Sequence, residues 1–263
     1  MAEYMFDQGQ GPPVVVVPGL QGRWEWAKPA LLQLARTCRA ISYSLSGDIG
    51  SRCRVRPELG FDNYTRQLDG VLDSTGLTRA VICGVSFGGF VALRYAAQHP
   101  SRISALILAS APGPGWQPNP QQAQWIDRPW WSTPTFLATS PLRVWPEVSA
   151  ALPDLGARAS FLARQGLRCL TAPMIPPLMA SRVKSAARLD FESDCRRIAA
   201  PTLVMTGEEP LDRVVPVRST RTYTNLIPRA EYRVLPDTGH MAILTQPSRF
   251  AALVSDFAHA NHH

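Results

Sequence analysis

The chain has 263 residues, 45% of them hydrophobic and 18% charged, which is enough to bury one sizeable core or a core with a lid. No apolar run approaches the roughly 20 residues of a bilayer span, so stable membrane insertion is not expected. A net charge of +7 comes without any nucleic-acid-binding motif, and the five cysteines are scattered without a CxxC pair, so neither a nucleic-acid partner nor a zinc or dithiol site is expected.

The N-terminal stretch "MAEYMFDQGQ" carries acidic residues and no apolar leader core, so a cytoplasmic location is the default expectation. The first buried strand reads as "PVVVVPG" (13–19), followed by a glycine-bearing loop, "LQGRW". A helical pattern over 27–38 leads to a strand at 39–44, and a second over 63–76 to a strand at 79–85. Then come a helix over 88–100 and a strand at 103–110. Most of these apolar runs are continuous rather than alternating, which suits parallel strands covered on both faces.

Residues 112–146 break the rhythm with eight prolines and five of the seven tryptophans. A helical stretch over 147–189 follows, and no strong strand pattern occurs between 111 and 200. Strands return at 201–207 and 231–236, and a helix over 247–260 closes the chain. The expected fold class is α/β, an open and mostly parallel sheet flanked by helices, with an inserted helical cap. Its parts are a core over 1–111, a cap over 112–199 and a second core segment over 200–263. The tryptophans Trp24, Trp116, Trp125, Trp130, Trp131 and Trp145 are candidates for substrate contact, or simply pack the lid onto the core. Arg158, Arg164, Arg168, Arg182, Lys184 and Arg188 occur in a segment without Asp or Glu, and a solvated helix face is the expected reading.

The chemistry centres on "ICGVSFGGF", residues 82–90, where one polar side chain, Ser86, stands among apolar residues and three glycines. Glycine two positions to either side of a given serine arises by chance roughly once in 200, so the string alone is weak. Its place between a buried strand and an amphipathic helix strengthens it. A strand-to-helix turn this tight forces its central residue toward positive φ and demands small neighbours. It would also aim the Phe87 N–H at whatever Ser86 attacks.

A serine hydroxyl needs a base. Of the five histidines, His99 reads as a helix C-cap and three lie in the terminal segment, leaving His240 in "LPDTGHMAIL". The base needs an acid to hold its tautomer, and "GEEPLDRVVP" offers one in Asp212, with Glu209 second. The loop after the first strand supplies another oxyanion donor, the Leu20 N–H or else that of Gln21.

Together these residues resemble the α/β-hydrolase family, in particular small members with a helical cap. The most specific stretch runs from "NYTRQLDGVLDSTG" through "ICGVSFGGF" to "ISALILAS". "DRVVP" and "GHMAILTQPSRF" are similar to the family's acid and histidine loops. Three departures stand out: Pro18-Gly19 where many members have His-Gly, Ser44 where many have Asp, and an acid loop two residues longer than usual, which keeps Glu209 a rival. The resemblance implies a triad of Ser86, Asp212 and His240, no cofactor and no metal, and a small-molecule, ester-like substrate. It leaves the oligomeric state open. Carboxylic-ester hydrolysis is the expected reaction. C–C bond hydrolysis, lactonase, perhydrolase and acyltransferase chemistry are alternatives on the same triad, and a ligand-binding signalling receptor is a further one. A serine nucleophile argues against haloalkane dehalogenase and epoxide hydrolase chemistry, which use aspartate.

Overall fold

A computed structural model describes residues 4–262, with the backbone alone at 136 and 137. The chain begins with β1 (Met5–Gln8) and β2 (Pro13–Val17), a 3-10 turn at Trp24–Ala27, α1 (Lys28–Leu34), β3 (Arg39–Tyr43) and α2 (Asp62–Ser74). It continues through β4 (Ala80–Val85), α3 (Phe87–Gln98) and β5 (Ile103–Ala109). Five helices follow, with no strand between them among the described residues: α4 (Pro120–Asp127), α5 (Pro129–Ala151), α6 (Leu155–Thr171), α7 (Pro176–Ala186) and α8 (Phe191–Arg196). The chain then returns through β6 (Thr202–Thr206), α9 (Val217–Arg221), α10 (Tyr223–Leu226), β7 (Ala230–Val234), α11 (Ala242–Thr245) and α12 (Pro247–Asn261).

Seven strands form one sheet in the order β1-β3-β2-β4-β5-β6-β7, all parallel except β1, which runs antiparallel to β3. The apolar runs divide by alternation. Val15 and Val17 join Ile82, Leu106 and Leu108 on the face covered by α2, α3 and α8. Val14 and Val16 join Cys83, Ile107 and Met205 on the face covered by α1 and α12. Fully burying each such side chain contributes roughly 1.5–3 kcal/mol, so the run of four valines commits the strand to the sheet's interior.

All six strands expected from the apolar runs are present. The seventh, β1, has no counterpart in the sequence reading. It is a four-residue edge strand with one buried residue, Phe6, and its partner β3 rather than its own periodicity defines it. The segment over 129–146, marked in the sequence only by its prolines and tryptophans, is the first part of α5, a helix with Pro134, Pro141 and Pro146 inside it. Each proline forfeits one ladder hydrogen bond, and packing against α4 and α7 overrides that local cost. Among the described residues no helix is long and apolar enough to cross a membrane.

One residue of the basic segment departs from the expected solvated face. Arg182 on α7 is fully buried and forms an ion pair with Asp48, itself buried. It also donates to the Leu20 carbonyl at 2.9 Å and the Ser46 carbonyl at 3.4 Å. Burial pushes the Asp48 carboxyl up, with the Arg182 charge and hydrogen bond pulling against it. A desolvated pair of this kind is costly to half-remove, because the remaining charge has nowhere to go. Asp48→Ala is therefore expected to lower stability by about 3–5 kcal/mol, while Asp48→Ala with Arg182→Met loses clearly less than the sum of the two single changes. Thermal unfolding of the four proteins measures this. A near-zero coupling between the two positions would show that the pair does not hold α7 to the core.

Candidate active site

Ser86 is the single residue between β4 and α3, at φ 52° and ψ −121°. A Cβ on Gly84 would fall against the Gly88 carbonyl and within 2.6 Å of the Gly89 Cα. One on Gly88 would meet the Val17 carbonyl oxygen and lie 2.6 Å from that of Pro18. Glycine at both positions is therefore a steric requirement of a turn pressed onto the end of β2. The turn is closed by the Ser86 N–H on the Ala109 carbonyl and the Gly89 N–H on the Ser86 carbonyl, both at 2.8 Å.

The histidine and the acid arrive on loops from the same end of the sheet. His240 lies beyond β7, with Nε2 3.0 Å from the Ser86 Oγ. Its Nδ1 lies 3.3 Å from Oδ2 of Asp212, in the loop after β6. An ionised carboxylate only accepts, so Nδ1 carries the proton and Nε2 turns its lone pair to the serine hydroxyl. The other oxygen of Asp212 accepts from the Val214 and Val215 N–H groups at 2.9 Å each, which fixes the carboxylate plane. Burial alone would raise the Asp212 carboxyl, but the His240 charge and hydrogen bond, with the two backbone N–H groups, hold it below its ordinary value. For His240 burial works the other way, and the Asp212 charge and hydrogen bond, joined by the Glu147 charge, leave the imidazole above its ordinary value.

Glu209, the rival acid, points out to solvent and pairs with Arg218 at 2.6 Å. Glu208 accepts from the Asp237 N–H at 3.0 Å. Of these three carboxylates in the acid loop, Asp212 is the one that reaches the imidazole. His99 is the C-cap of α3, away from this cluster.

The first loop also reaches the elbow. The Gly22 N–H bonds the Gly19 carbonyl at 2.9 Å, closing a turn around Leu20 and Gln21. A Cβ on Gly19 would lie 3.4 Å from the Ser86 Cβ, which places this turn directly beside Ser86. Phe87 opens α3, so its N–H belongs to the positive end of a helix. The candidate oxyanion donors, Leu20 and Phe87, therefore lie on two segments that meet at Ser86.

The six tryptophans are dispersed. Trp24 is buried in the core beside Phe6, with ring centroids 5.7 Å apart. Trp116 packs, half-buried, on the apolar cluster that holds Phe61, Tyr64, Phe87 and Phe191 and that Leu20 also borders. Trp125 is half-buried under the Arg143 guanidinium, 4.7 Å from its ring centroid, and the half-exposed Trp145 has Arg158 at 5.9 Å. Trp130 and Trp131 are 67% and 87% exposed.

Two supporting residues are not expected at the site from the sequence, which marks Arg182 as part of a solvated face and does not single out Glu147. Arg182 holds the Leu20 carbonyl from α7, as described above. Glu147, on α5 and 1% exposed, accepts from the Met241 N–H at 2.9 and 3.0 Å and from the Thr245 hydroxyl at 3.0 Å. The available signal was a lone acid in "RVWPEVSAAL" beside residues that face the core, Val148 and Ala151. Among the described residues no group of three or more His, Cys, Asp or Glu side chains gathers in a way that could hold a metal ion.

A strained serine on a strand-to-helix turn, facing a histidine from a later strand end, belongs to a recognised class of hydrolytic scaffold. The chain is a member of the alpha/beta hydrolase fold family, whose model it matches over residues 12–247, and it is a hydrolase. It is 28% identical to 2-hydroxymuconate semialdehyde hydrolase of Pseudomonas sp. (strain CF600), across 96% of this chain and 89% of that one. It is 29% identical to 2-hydroxy-6-oxo-2,4-heptadienoate hydrolase of Pseudomonas putida, across 96% and 91%. Among solved structures, Est816, described as an N-acyl homoserine lactone degrading enzyme, shares the fold with a TM-score of 0.76 at 23% identity, covering 97% of this chain and 96% of its own.

A base must be neutral to act, so with His240 as the candidate base the acid limb of Ser86 reactivity is expected to report the His240 pKa. With that value raised, the limb is expected above the ordinary imidazole value of about 6.5. Asp212→Asn removes the largest raising influence, so the limb moves to lower pH while the plateau rate falls by roughly 10³–10⁴. The rate of labelling by a fluorophosphonate as a function of pH measures both. An unmoved limb would separate Asp212 from the histidine.

Proposed function

We propose that the chain is a serine hydrolase that needs no cofactor and acts on a small or medium carboxylic ester with an apolar or aromatic part. The observation that carries this reading is the continuous relay from Ser86 Oγ to His240 Nε2 at 3.0 Å and from His240 Nδ1 to Asp212 Oδ2 at 3.3 Å. Ser86 attacks the acyl carbon as His240 takes its proton. Asp212 orients the ring and stabilises the imidazolium. The N–H groups of Leu20 and Phe87 receive the oxyanion of the tetrahedral intermediate. His240 then protonates the leaving alcohol, and a water deprotonated by His240 attacks the acyl-enzyme to release the acid. Nucleophile, base and acid are all side chains of this chain, so the reaction calls for nothing more.

The apolar cluster shared by Leu20, Phe87 and Trp116 supports an apolar substrate part beside the serine. The helices within 112–199, apart from α8 on the sheet face, act as the cap over this site, and the partner is a small molecule.

A second reading, C–C bond hydrolysis by the same residues, is favoured by the Pseudomonas relatives, whose names give an unsaturated oxo acid or semialdehyde as substrate. The two readings separate on a panel of p-nitrophenyl esters of graded chain length and a 2-hydroxy-6-oxo-2,4-dienoate. We expect ester turnover with a short or medium acyl chain, lost by about 10³ or more in Ser86→Ala. Turnover of the dienoate alone would move the assignment to the second reading. No turnover of either, together with no fluorophosphonate labelling, would sink both.

A further inference from the structure

Glu147 is a buried carboxylate without a Lys or Arg partner among the described residues. Its donors are neutral: the Met241 N–H and the Thr245 hydroxyl. Keeping an acid in such a place is expensive, because a buried charge is ordinarily paired. A neutral acceptor could satisfy the same donors at lower cost. What the charge adds lies one residue away. His240, between Gly239 and Met241, is the group that must become a cation when Ser86 gives up its proton.

We propose that Glu147 is a positioning residue for His240. It clamps the backbone at Met241, the residue after the histidine, so that the ring stays in line with Ser86. From the far side of the loop, it also supplies a second negative charge for the imidazolium. Asp212 touches the ring; Glu147 acts through the peptide group that follows it and through its field. Because Glu147 belongs to α5, the placement of that helix becomes a condition of full reactivity. The helical excursion is thereby tied to the relay and is more than a cover for it.

The surroundings isolate the effect. The groups with charge or a titratable proton that face His240 are Asp212 from the acid loop, Glu147 from α5 and the Ser86 hydroxyl from the elbow. The small cavity on which the ring abuts is otherwise lined by Val85, Ala109, Ser110, Thr206, Leu235 and other uncharged residues. Burial holds the Glu147 carboxyl above its ordinary value, against the pull of the Met241 N–H, the Thr245 hydroxyl and the His240 charge. The histidine and this carboxylate thus favour each other's ionised forms. Removing the Glu147 charge must shift the imidazole toward lower pH.

The inference rests on the serine-hydrolase reading, and its test is independent of the natural substrate. Labelling of Ser86 by a fluorophosphonate is followed against pH in the wild-type protein, Glu147→Gln and Glu147→Asp, with Ser86→Ala as the unlabelled control. Glu147→Gln is expected to move the acid limb down by about one pH unit and to slow the plateau by roughly tenfold. Glu147→Asp keeps the charge on a side chain one CH2 shorter. It is expected to slow the plateau while leaving the limb near its wild-type position. A folded Glu147→Gln protein with a slower plateau and an unmoved limb would reduce Glu147 to a structural tie and overturn the proposal. Should Glu147→Gln not fold, Glu147→Asp decides: labelling as fast as wild type at every pH overturns it. Failure of the wild-type protein to label at all would overturn the serine-hydrolase reading and this inference with it, an outcome distinct from either of the others.

Discussion

Ser86 is held in a backbone conformation that a serine in isolation would avoid. A positive φ on a residue with a Cβ costs of order 1–3 kcal/mol, and the surroundings must over-determine it. Here they do so by contact. Gly84 and Gly88 let the start of α3 press onto the end of β2, and Ser86 has no room to relax. Everything else at the site is arranged around that fixed hydroxyl. Among the described residues, the non-glycine residues with positive φ are Ser86, Ser110 and Asp237. They follow β4, β5 and β7, so the backbone strain gathers at one end of the sheet, the end that carries the relay.

Three loops meet at Ser86, and two of them are fastened by buried charges from the helical excursion. Arg182 from α7 holds the Leu20 carbonyl beneath the turn that lies against the serine. Glu147 from α5 holds the Met241 N–H beside the histidine. Asp212 is fastened within its own loop, by the Val214 and Val215 N–H groups. Charged tethers suit this task because hydrogen bonds to charged groups are stronger and more directional than neutral ones. Arg182 is also costly to remove, since its loss leaves the Asp48 charge buried and unpaired. Precision at the relay is thus sustained by side chains more than 90 residues away from the groups they hold.

This arrangement separates two duties within one excursion. Its polar anchors, Arg182 and Glu147, point inward and set the loops. Its aromatic residues are distributed differently: Trp116 joins the cluster beside Phe87, whereas Trp130 and Trp131 face solvent. Tryptophan content alone therefore overstates how much of this segment borders the elbow.

The sequence by itself determined what depends on neighbours along the chain. Continuous apolar runs marked most of the six strands, because burial on both sheet faces leaves no polar alternation to confuse them, whereas the largely exposed β7 alternates. The elbow was legible because its steric demands fall within five residues, 84–88, and only glycine meets them. His240 followed by elimination, and the family resemblance followed from these together. Tertiary structure decided what depends on distance in space. Asp212 and Glu209 are three residues apart in one loop, and only the folded loop turns the first to the imidazole and the second to Arg218. Arg182 looked like one more solvated arginine until α7 buried it against Asp48, 134 residues earlier. Glu147 carried no marker along the chain, and only the folding of α5 sets it against the histidine loop. β1 exists because β3 offers an edge, and α5 persists through three prolines because its neighbours hold it. In each case the deciding interaction joins residues whose local sequence carries no trace of the partner.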